Sequence, residues 1–283
     1  MSQTLPVQVY CADTLYKRFL SYILHIYYSI KTAPPIHKGT FMGFGRFVWI
    51  HDQTSITQLY HAGSFGKGSL SRSQATWFTR TLKQNSNSLE DITTERRKKR
   101  RQQHNIDHST SSVLKLLDFT LHQDVEKFQL DLYEAFFLVY GLNALTIQDS
   151  KQTPLSIQDC WHTFCKADSS FHFKYAAYHY YRSLGWVPKN GSKFGVDFVL
   201  YQRGPSFRHA DYAVVIMPVY TDKEEQKSWQ WLLRLNRVSN QVKKTLVLCH
   251  VTIPTTITSH LQLNEYSIKQ VTYERWSPQR NRE

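Results

Sequence analysis

Trp186 to Tyr201 reads WVPKNGSKFGVDFVLY, and this stretch decides the fold. Trp186-Val187-Pro188 and Phe194 to Tyr201 have the β-branched and aromatic composition of strands, and Asn190-Gly191 between them is a hairpin turn signal. Just upstream the period is helical. Phe173, Ala177, Tyr180 and Leu184 step by four, three and four along one face of a helix over Phe171 to Leu184, and Gly185 ends it. Downstream, Tyr212 to Pro218 (YAVVIMP) is a strand and Ser228 to Val242 an amphipathic helix carrying Trp229, Leu232, Leu235 and Val242. Thr245 to Val251 reads as a buried strand and Val271 to Trp276 as the last one. The C-terminal half is therefore expected to be a mixed sheet flanked by helices.

Working back toward the N-terminus, Ser156 to Lys166 reads as a helix with capping-box spacing between Ser156 and Asp159 and a staple at Leu155. Leu130 to Gly141 (LDLYEAFFLVYG) reads as a buried helix capped at Gly141. Phe47 to Ile50 reads as a strand, and Ser55 to His61 as a short helix stopped by Gly63. The expected class is α/β (α+β). Residues 1–80 form an N-terminal α/β region, 81–112 a basic polar linker, 113–168 a helical region and 169–283 the C-terminal sheet domain.

The 283 residues suit two ordinary domains, and 16 Phe, 17 Tyr and 7 Trp supply a large core, which excludes disorder throughout. With 35 Lys and Arg against 22 Asp and Glu the chain carries +13, and its pI near 9.5 points to a polyanionic partner, nucleic acid first. Cysteines 11, 160, 165 and 249 are too few for a disulfide scaffold. The longest apolar run, Phe19 to Ile30, is shorter than a membrane span of roughly 20 residues, so it reads as a buried helix and no membrane span is expected. Six adjacent cations, Arg96 to Arg101, read as a nuclear localisation signal, an RNA-contacting arm or a solvated linker, and the sequence does not separate these.

Several constellations fall away on spacing. Gly63 to Ser69 is glycine-rich with Lys67, but Gly68 stands where a phosphate loop needs Ser or Thr. Cys160, His162, Cys165 and His172 match no common structural zinc spacing, and the cysteines read as core. No Gly-x-Ser-x-Gly elbow exists. A carboxylate-metal nuclease around Asp197 is a serious rival, yet that strand offers Asp197 alone. The aromatic signature of an RNA-recognition sheet is missing. What remains is Tyr201-Gln-Arg203-Gly204-Pro205-Ser-Phe207-Arg208-His209. It is a strand end, a Gly-Pro turn and a histidine before the next strand, which suits a rigid mount for proton transfer. Such a histidine, taken alone, is more often structural.

The run from Tyr178 through Gly185-Trp186-Val187-Pro188-Lys189, Asp197, Tyr201 and His209 resembles the tRNA-splicing endonuclease family. Within that family it looks most like the subunit that cuts the 5′ splice site of intron-containing pre-tRNA. Gly66 to Ser73, Glu134 to Gly141, Arg237-Val238-Ser239 and Lys244 carry the same likeness, strong from about residue 130 to 276 and patchy before that. The resemblance implies catalytic residues Tyr201, His209 and Lys244, with Lys243 an adjacent competitor to Lys244, and an RNA-clamping pair Arg237 and Trp276. It implies RNA cleavage by 2′-hydroxyl transesterification without metal or other cofactor, leaving a 2′,3′-cyclic phosphate and a 5′-hydroxyl. A neighbouring cation is expected to ease ionisation of Tyr201. The implied partners are intron-containing pre-tRNA and other endonuclease subunits, a second catalytic subunit among them, in a heterotetramer. The implied compartment is the nucleus, with the cytoplasm or an organelle surface as alternatives. The other function class is a non-catalytic RNA-binding or scaffolding subunit of the same complex. The complete Tyr, His and Lys set argues against it.

Overall fold

A computed structural model describes residues 3–4, 37–43, 45–71, 75, 126–220, 223–224, 227–254 and 259–274. The elements in chain order are β1 (Gln3–Thr4), β2 (His37–Phe41), β3 (Phe47–Ile50), α1 (Gln53–Gly63), β4 (Lys67–Gly68), β5 (Phe128–Asp131), α2 (Leu132–Phe136), β6 (Leu145–Asp149), α3 (Ile157–Ala167), α4 (Phe171–Ser183), β7 (Val187–Asn190), β8 (Phe198–Tyr201), β9 (Tyr212–Tyr220), β10 (Lys223–Glu224), α5 (Trp229–Gln241), β11 (Thr245–Thr252) and β12 (Ser267–Tyr273). They build two mixed sheets. The N-terminal sheet runs β4-β5-β3-β2-β6 and the C-terminal sheet β1-β12-β11-β9-β8-β7, with β10 paired to β9. The mixed α/β class expected from the sequence is thus what is found.

Among its described residues the region expected to be helical, 113–168, holds α2 and α3 but also supplies β5 and β6 to the N-terminal sheet, where β5 pairs with β3 and β6 lies parallel to β2. Leu130 is consequently in a strand, and the helix begins at Leu132, because Asp131 interrupts the apolar run as the helix N-cap and its N–H donates to Glu134 Oε2 at 3.2 Å. The helix then widens into a π-helical turn over Phe137–Gly141, and the left-handed residue beyond it is Asn143 (φ 49°) rather than Gly141. In α1, likewise, Gly63 is still helical and Ser64 (φ 53°) takes the left-handed cap. The capping box of α3 forms as read: Asp159 N–H donates to Ser156 Oγ at 3.1 Å, and Ser156 N–H to Asp159 Oδ2 at 3.2 Å.

The expected stripe on α4 is replaced by burial on nearly every side. Tyr175 through Tyr181 are all buried while Leu184 is exposed. This helix packs on β7, β9 and β11 of the C-terminal sheet and on α2 and α3, and its rings form one aromatic core with the N-terminal half. Phe136 meets Tyr175 edge to face at 4.8 Å and Phe171 at 5.7 Å, a geometry that the ring quadrupoles favour. The other face of the C-terminal sheet carries a second, smaller core under α5, built from Val199, Ala213, Val215, Leu232, Leu246 and Leu248. The crossover β9-α5-β11 makes β9 and β11 parallel neighbours in the sheet centre.

Asn190-Gly191 is not a two-residue hairpin. Asn190 pairs with Phe198 across a seven-residue connection, residues 191–197, which contains a 3-10 turn at Ser192–Phe194 and a left-handed Gly195 (φ 72°). Asn190 Oδ1 instead accepts from Ser192 N–H at 3.0 Å, so the asparagine closes a local turn at the strand end. The basic run 96–101, the polar stretch 81–112, the apolar run 19–30 and Trp276 lie outside the described residues. Among the described residues no helix is long and apolar enough to cross a membrane.

Candidate active site

Tyr201, His209 and Lys244 come from three different connections, and backbone pairing brings them to one end of the C-terminal sheet. Tyr201 is the last residue of β8 and Leu200 pairs with Tyr212. Asp211 then bridges the strands on either side, its N–H donating to Leu200 O at 3.1 Å and its carbonyl accepting from Thr245 N–H at 3.0 Å. These bonds fix the residues just before β9 against the residue just before β11. Alternation sets the face. Val199 and Tyr201 on β8, and Leu246 and Leu248 on β11, point toward α5, so Lys244, the residue just before β11, falls on that same face.

Lys244 and Lys243 separate cleanly. Lys243 takes a left-handed conformation (φ 54°) as the chain leaves α5, and it is exposed, whereas Lys244 turns inward and is 9% exposed. Its Nζ donates to Ala210 O at 2.7 Å, beside His209, and lies 5.4 Å from the Phe194 ring centroid. Burial lowers the lysine's pKa, and the Asp211 carboxylate partly opposes this. Tyr201 is half-buried and burial alone pushes its pKa up. Burial is thus the cause that acts on Tyr201, while the Lys244 ammonium donates to the Ala210 carbonyl. His209 is exposed on its loop.

The loop from Gln202 to His209 is braced from the N-terminal half, which the sequence did not reveal. Tyr60 at the end of α1 shares a hydrogen bond with Ser206 Oγ at 2.8 Å. Gly204 has φ 117°, and a Cβ there would run into the Ser64 hydroxyl. Glycine is required at that position by backbone conformation and by close approach together. Arg208 donates to Gln202 Oε1 at 3.3 Å and pairs with Asp211 at 3.6 Å, closing the loop's base.

Asp197, the centre of the rival carboxylate-metal reading, has structural duties. It precedes β8 rather than lying in it, its Oδ1 pairs with Lys174 Nζ at 3.1 Å and its Oδ2 accepts from Ile216 N–H at 2.9 Å. Among the described residues no three His, Cys, Asp or Glu side chains are grouped to hold a metal ion. Cys160 and Cys249 are buried and their thiols are pushed up to about 12 by burial, which suits core residues. Arg237 is exposed on α5. Because that helix ends at Gln241, Lys244 lies beyond it and the two do not share a helical face.

The family model described as "tRNA intron endonuclease, catalytic C-terminal domain" matches residues 171–259, a range that includes Tyr201, His209 and Lys244. The chain is 41% identical over 166 residues to the tRNA-splicing endonuclease subunit Sen2 of Rattus norvegicus, covering 56% of this chain and 36% of that relative. It is 30% identical over 328 residues to the probable tRNA-splicing endonuclease subunit sen2 of Schizosaccharomyces pombe, covering 83% and 84%. Against the Saccharomyces cerevisiae subunit SEN2 it is 34% identical over 169 residues, covering 56% and 43%. The chain belongs to the Sen2 family of tRNA-splicing endonuclease subunits. The match spans just over a third of the length of the rat relative.

Proposed function

We propose that this chain is the catalytic subunit that cuts intron-containing pre-tRNA at the 5′ splice site. The observation that carries this reading is the meeting of Tyr201, the His209 loop and Lys244 on one sheet end, joined by the bond from Lys244 Nζ to Ala210 O. RNA brings its own nucleophile, the 2′-hydroxyl next to the scissile phosphate. Tyr201 removes that proton, His209 protonates the departing 5′-oxygen and Lys244 stabilises the charge that builds on the phosphorane oxygens. The products are a 2′,3′-cyclic phosphate and a 5′-hydroxyl. No step is assigned to a metal, and both oxygens of Asp197 are already engaged. Burial of Lys244 strengthens the field of its ammonium at this end of the sheet.

Arg237 serves as the cationic half of a nucleotide clamp, with Trp276 as its aromatic half. The chain works in a heterotetramer with a second catalytic subunit and structural subunits. It acts in the nucleus, and the Arg96 to Arg101 run suits an import signal there. The decisive experiment is single-turnover cleavage of labelled intron-containing pre-tRNA by the assembled complex. His209→Ala should lower 5′-site cleavage by about 10²-fold or more while binding changes little. Near wild-type cleavage by that variant rejects the assignment and returns the chain to a scaffolding role.

A further inference from the structure

The connection between β7 and β8, residues 191–197, takes no part in the proposed chemistry, yet it is tied down along its length. Gly191 is packed so tightly that a Cβ there would run into the Val196 side chain and the backbones of Val196 and Phe198. Phe194 N–H donates to Gly191 O at 2.8 Å and closes the 3-10 turn, and Gly195 (φ 72°) then turns the chain next to Leu235 of α5. Asp197 fastens the far end. Its N–H donates to Val214 O at 3.0 Å, its Oδ2 accepts from Ile216 N–H at 2.9 Å and its Oδ1 pairs with Lys174 Nζ at 3.1 Å.

What this brace presents is Phe194. Its ring is half-buried against the smaller core under α5, and Lys244 Nζ lies 5.4 Å from the ring centroid while donating to Ala210 O at 2.7 Å. An aromatic face carries partial negative charge and attracts a cation, more strongly where water is scarce. A carboxylate in the same place would neutralise the ammonium and occupy its N–H groups. A ring face holds the cation, leaves its charge whole and leaves N–H groups for a substrate oxygen. Among the neighbouring titratable groups, Tyr201 on β8 is raised by burial and stays neutral, and His209 is exposed. The Asp211 carboxylate favours the ammonium, with Arg208 paired to it at 3.6 Å. The nearby cations Lys193, Arg237 and Lys243 are all exposed, where solvent screens them.

We propose that Phe194 is a positioning residue for the cleavage reaction, its braced ring holding the Lys244 ammonium in place and in its charged form. The proposal rests on the assignment of Lys244 as the group that stabilises the phosphorane. It also gives the stretch from Gly191 to Asp197 a purpose, which is to fix one ring against one lysine. Burial works against the ammonium and the ring works for it. Removing the ring therefore makes the lysine lose its proton at lower pH.

The test is made in the assembled complex with isotopically labelled lysine in this chain. Without RNA, NMR reads the pH midpoint of the Lys244 Cε signal, assigned by its loss in Lys244→Arg. Phe194→Leu keeps apolar bulk without a ring and should lower that midpoint by about 0.5–1 pH unit, and Phe194→Tyr should restore it. In single-turnover cleavage of pre-tRNA, the alkaline limb of Phe194→Leu should move down by the same amount, with a rate loss of about threefold to tenfold at neutral pH and pre-tRNA binding unchanged. Phenylalanines carrying one, two and three ring fluorines at position 194 keep the ring while drawing charge from its face, so the midpoint should fall stepwise. That series decides the matter even if Phe194→Leu does not assemble. A midpoint indifferent to ring fluorination overturns the proposal, whatever the cleavage rate. A midpoint that falls while the alkaline limb stays fixed means that Lys244 does not act in cleavage. That outcome overturns the assignment of Lys244, and the positioning role with it, although the contact itself stands.

Discussion

A lysine ammonium ordinarily keeps its proton to a pKa near 10.4, but Lys244 is buried and its pKa is lowered, with Asp211 partly opposing the change. The cation exists below the pKa, so lowering it brings the loss of charge to lower pH. On the proposed mechanism the cleavage rate must fall on the alkaline side earlier than an exposed lysine would allow. Lys244→Arg keeps its charge at any accessible pH and should retain part of the activity while moving that alkaline limb upward. Lys244→Ala should cost roughly 10²- to 10³-fold throughout, the usual loss for one charge-stabilising donor. Single-turnover rates across pH, corrected for uncatalysed RNA loss, decide the matter: an alkaline limb identical in wild type and Lys244→Arg means another group titrates. Tyr201 shifts in the opposite sense. Its raised pKa keeps the phenol protonated in the free protein, so the fraction able to act as a base grows with pH. The choice of these three positions rests on a long motif match, and between the adjacent lysines counting back from Leu248-Cys249 favours Lys244, the one that is buried. The left-handed turn at Lys243 that separates them is a property of how the chain leaves α5.

At the scale of elements, α1 supports the Gln202–His209 loop through the bond between Tyr60 and Ser206. Tyr60→Phe removes the partner of Ser206 and keeps the ring buried. A neutral hydrogen bond of this kind contributes about 0.5–1.5 kcal/mol, so the cleavage rate should fall about threefold to tenfold with pre-tRNA binding unchanged. A wild-type rate would show that the loop holds its shape without α1. A second link joins α2 to β7. Lys189 Nζ meets Glu134 Oε1 at 2.6 Å and Gly66 O at 3.1 Å, and Glu134 Oε2 accepts from the Gly66 and Asp131 amides. Lys189→Met strands a buried carboxylate and should cost about 3 kcal/mol of stability in a denaturant melt, with Glu134→Gln in the same chain recovering part of it. A loss below about 1 kcal/mol would place the pair with ordinary surface bridges. Neither link could be read beforehand, since each pairs residues far apart in the chain, 146 positions for Tyr60 and Ser206. Element type was clearest where the period was clean, as in β9, α5 and β11. It failed where an apolar run crossed a strand-helix boundary, at Leu130 to Leu132, and where a turn dipeptide served a longer connection, at Asn190-Gly191.

For the whole molecule, the expected division at residue 169 separates two halves that share one interior. β5 pairs with β3 across a long intervening stretch, and the aromatic core joins Phe41, Phe128 and Phe136 of the N-terminal half to Phe171, Tyr175 and Tyr178 of α4. Sequence pattern records which residues are apolar but not which distant faces they meet. For that reason a helix buried on nearly all sides looked like an ordinary amphipathic one. The same shared core makes a prediction about cutting the chain. A fragment of residues 169–283 keeps every C-terminal strand except β1, yet it loses the surface that covers Phe171, Tyr175 and Tyr178, three rings that are each at most 1% exposed in the full chain. Exposing that much contiguous aromatic surface favours aggregation over folding. The fragment should therefore be recovered as aggregate or melt without a cooperative transition, whereas co-expression with residues 37–168 as a separate chain should restore soluble material. A fragment that is soluble, monomeric and cooperatively folded alone would mean that α4 can bury its rings within the C-terminal sheet. In that case the bracing of the His209 loop by Tyr60 would be an addition to an independent nuclease domain rather than part of its fold.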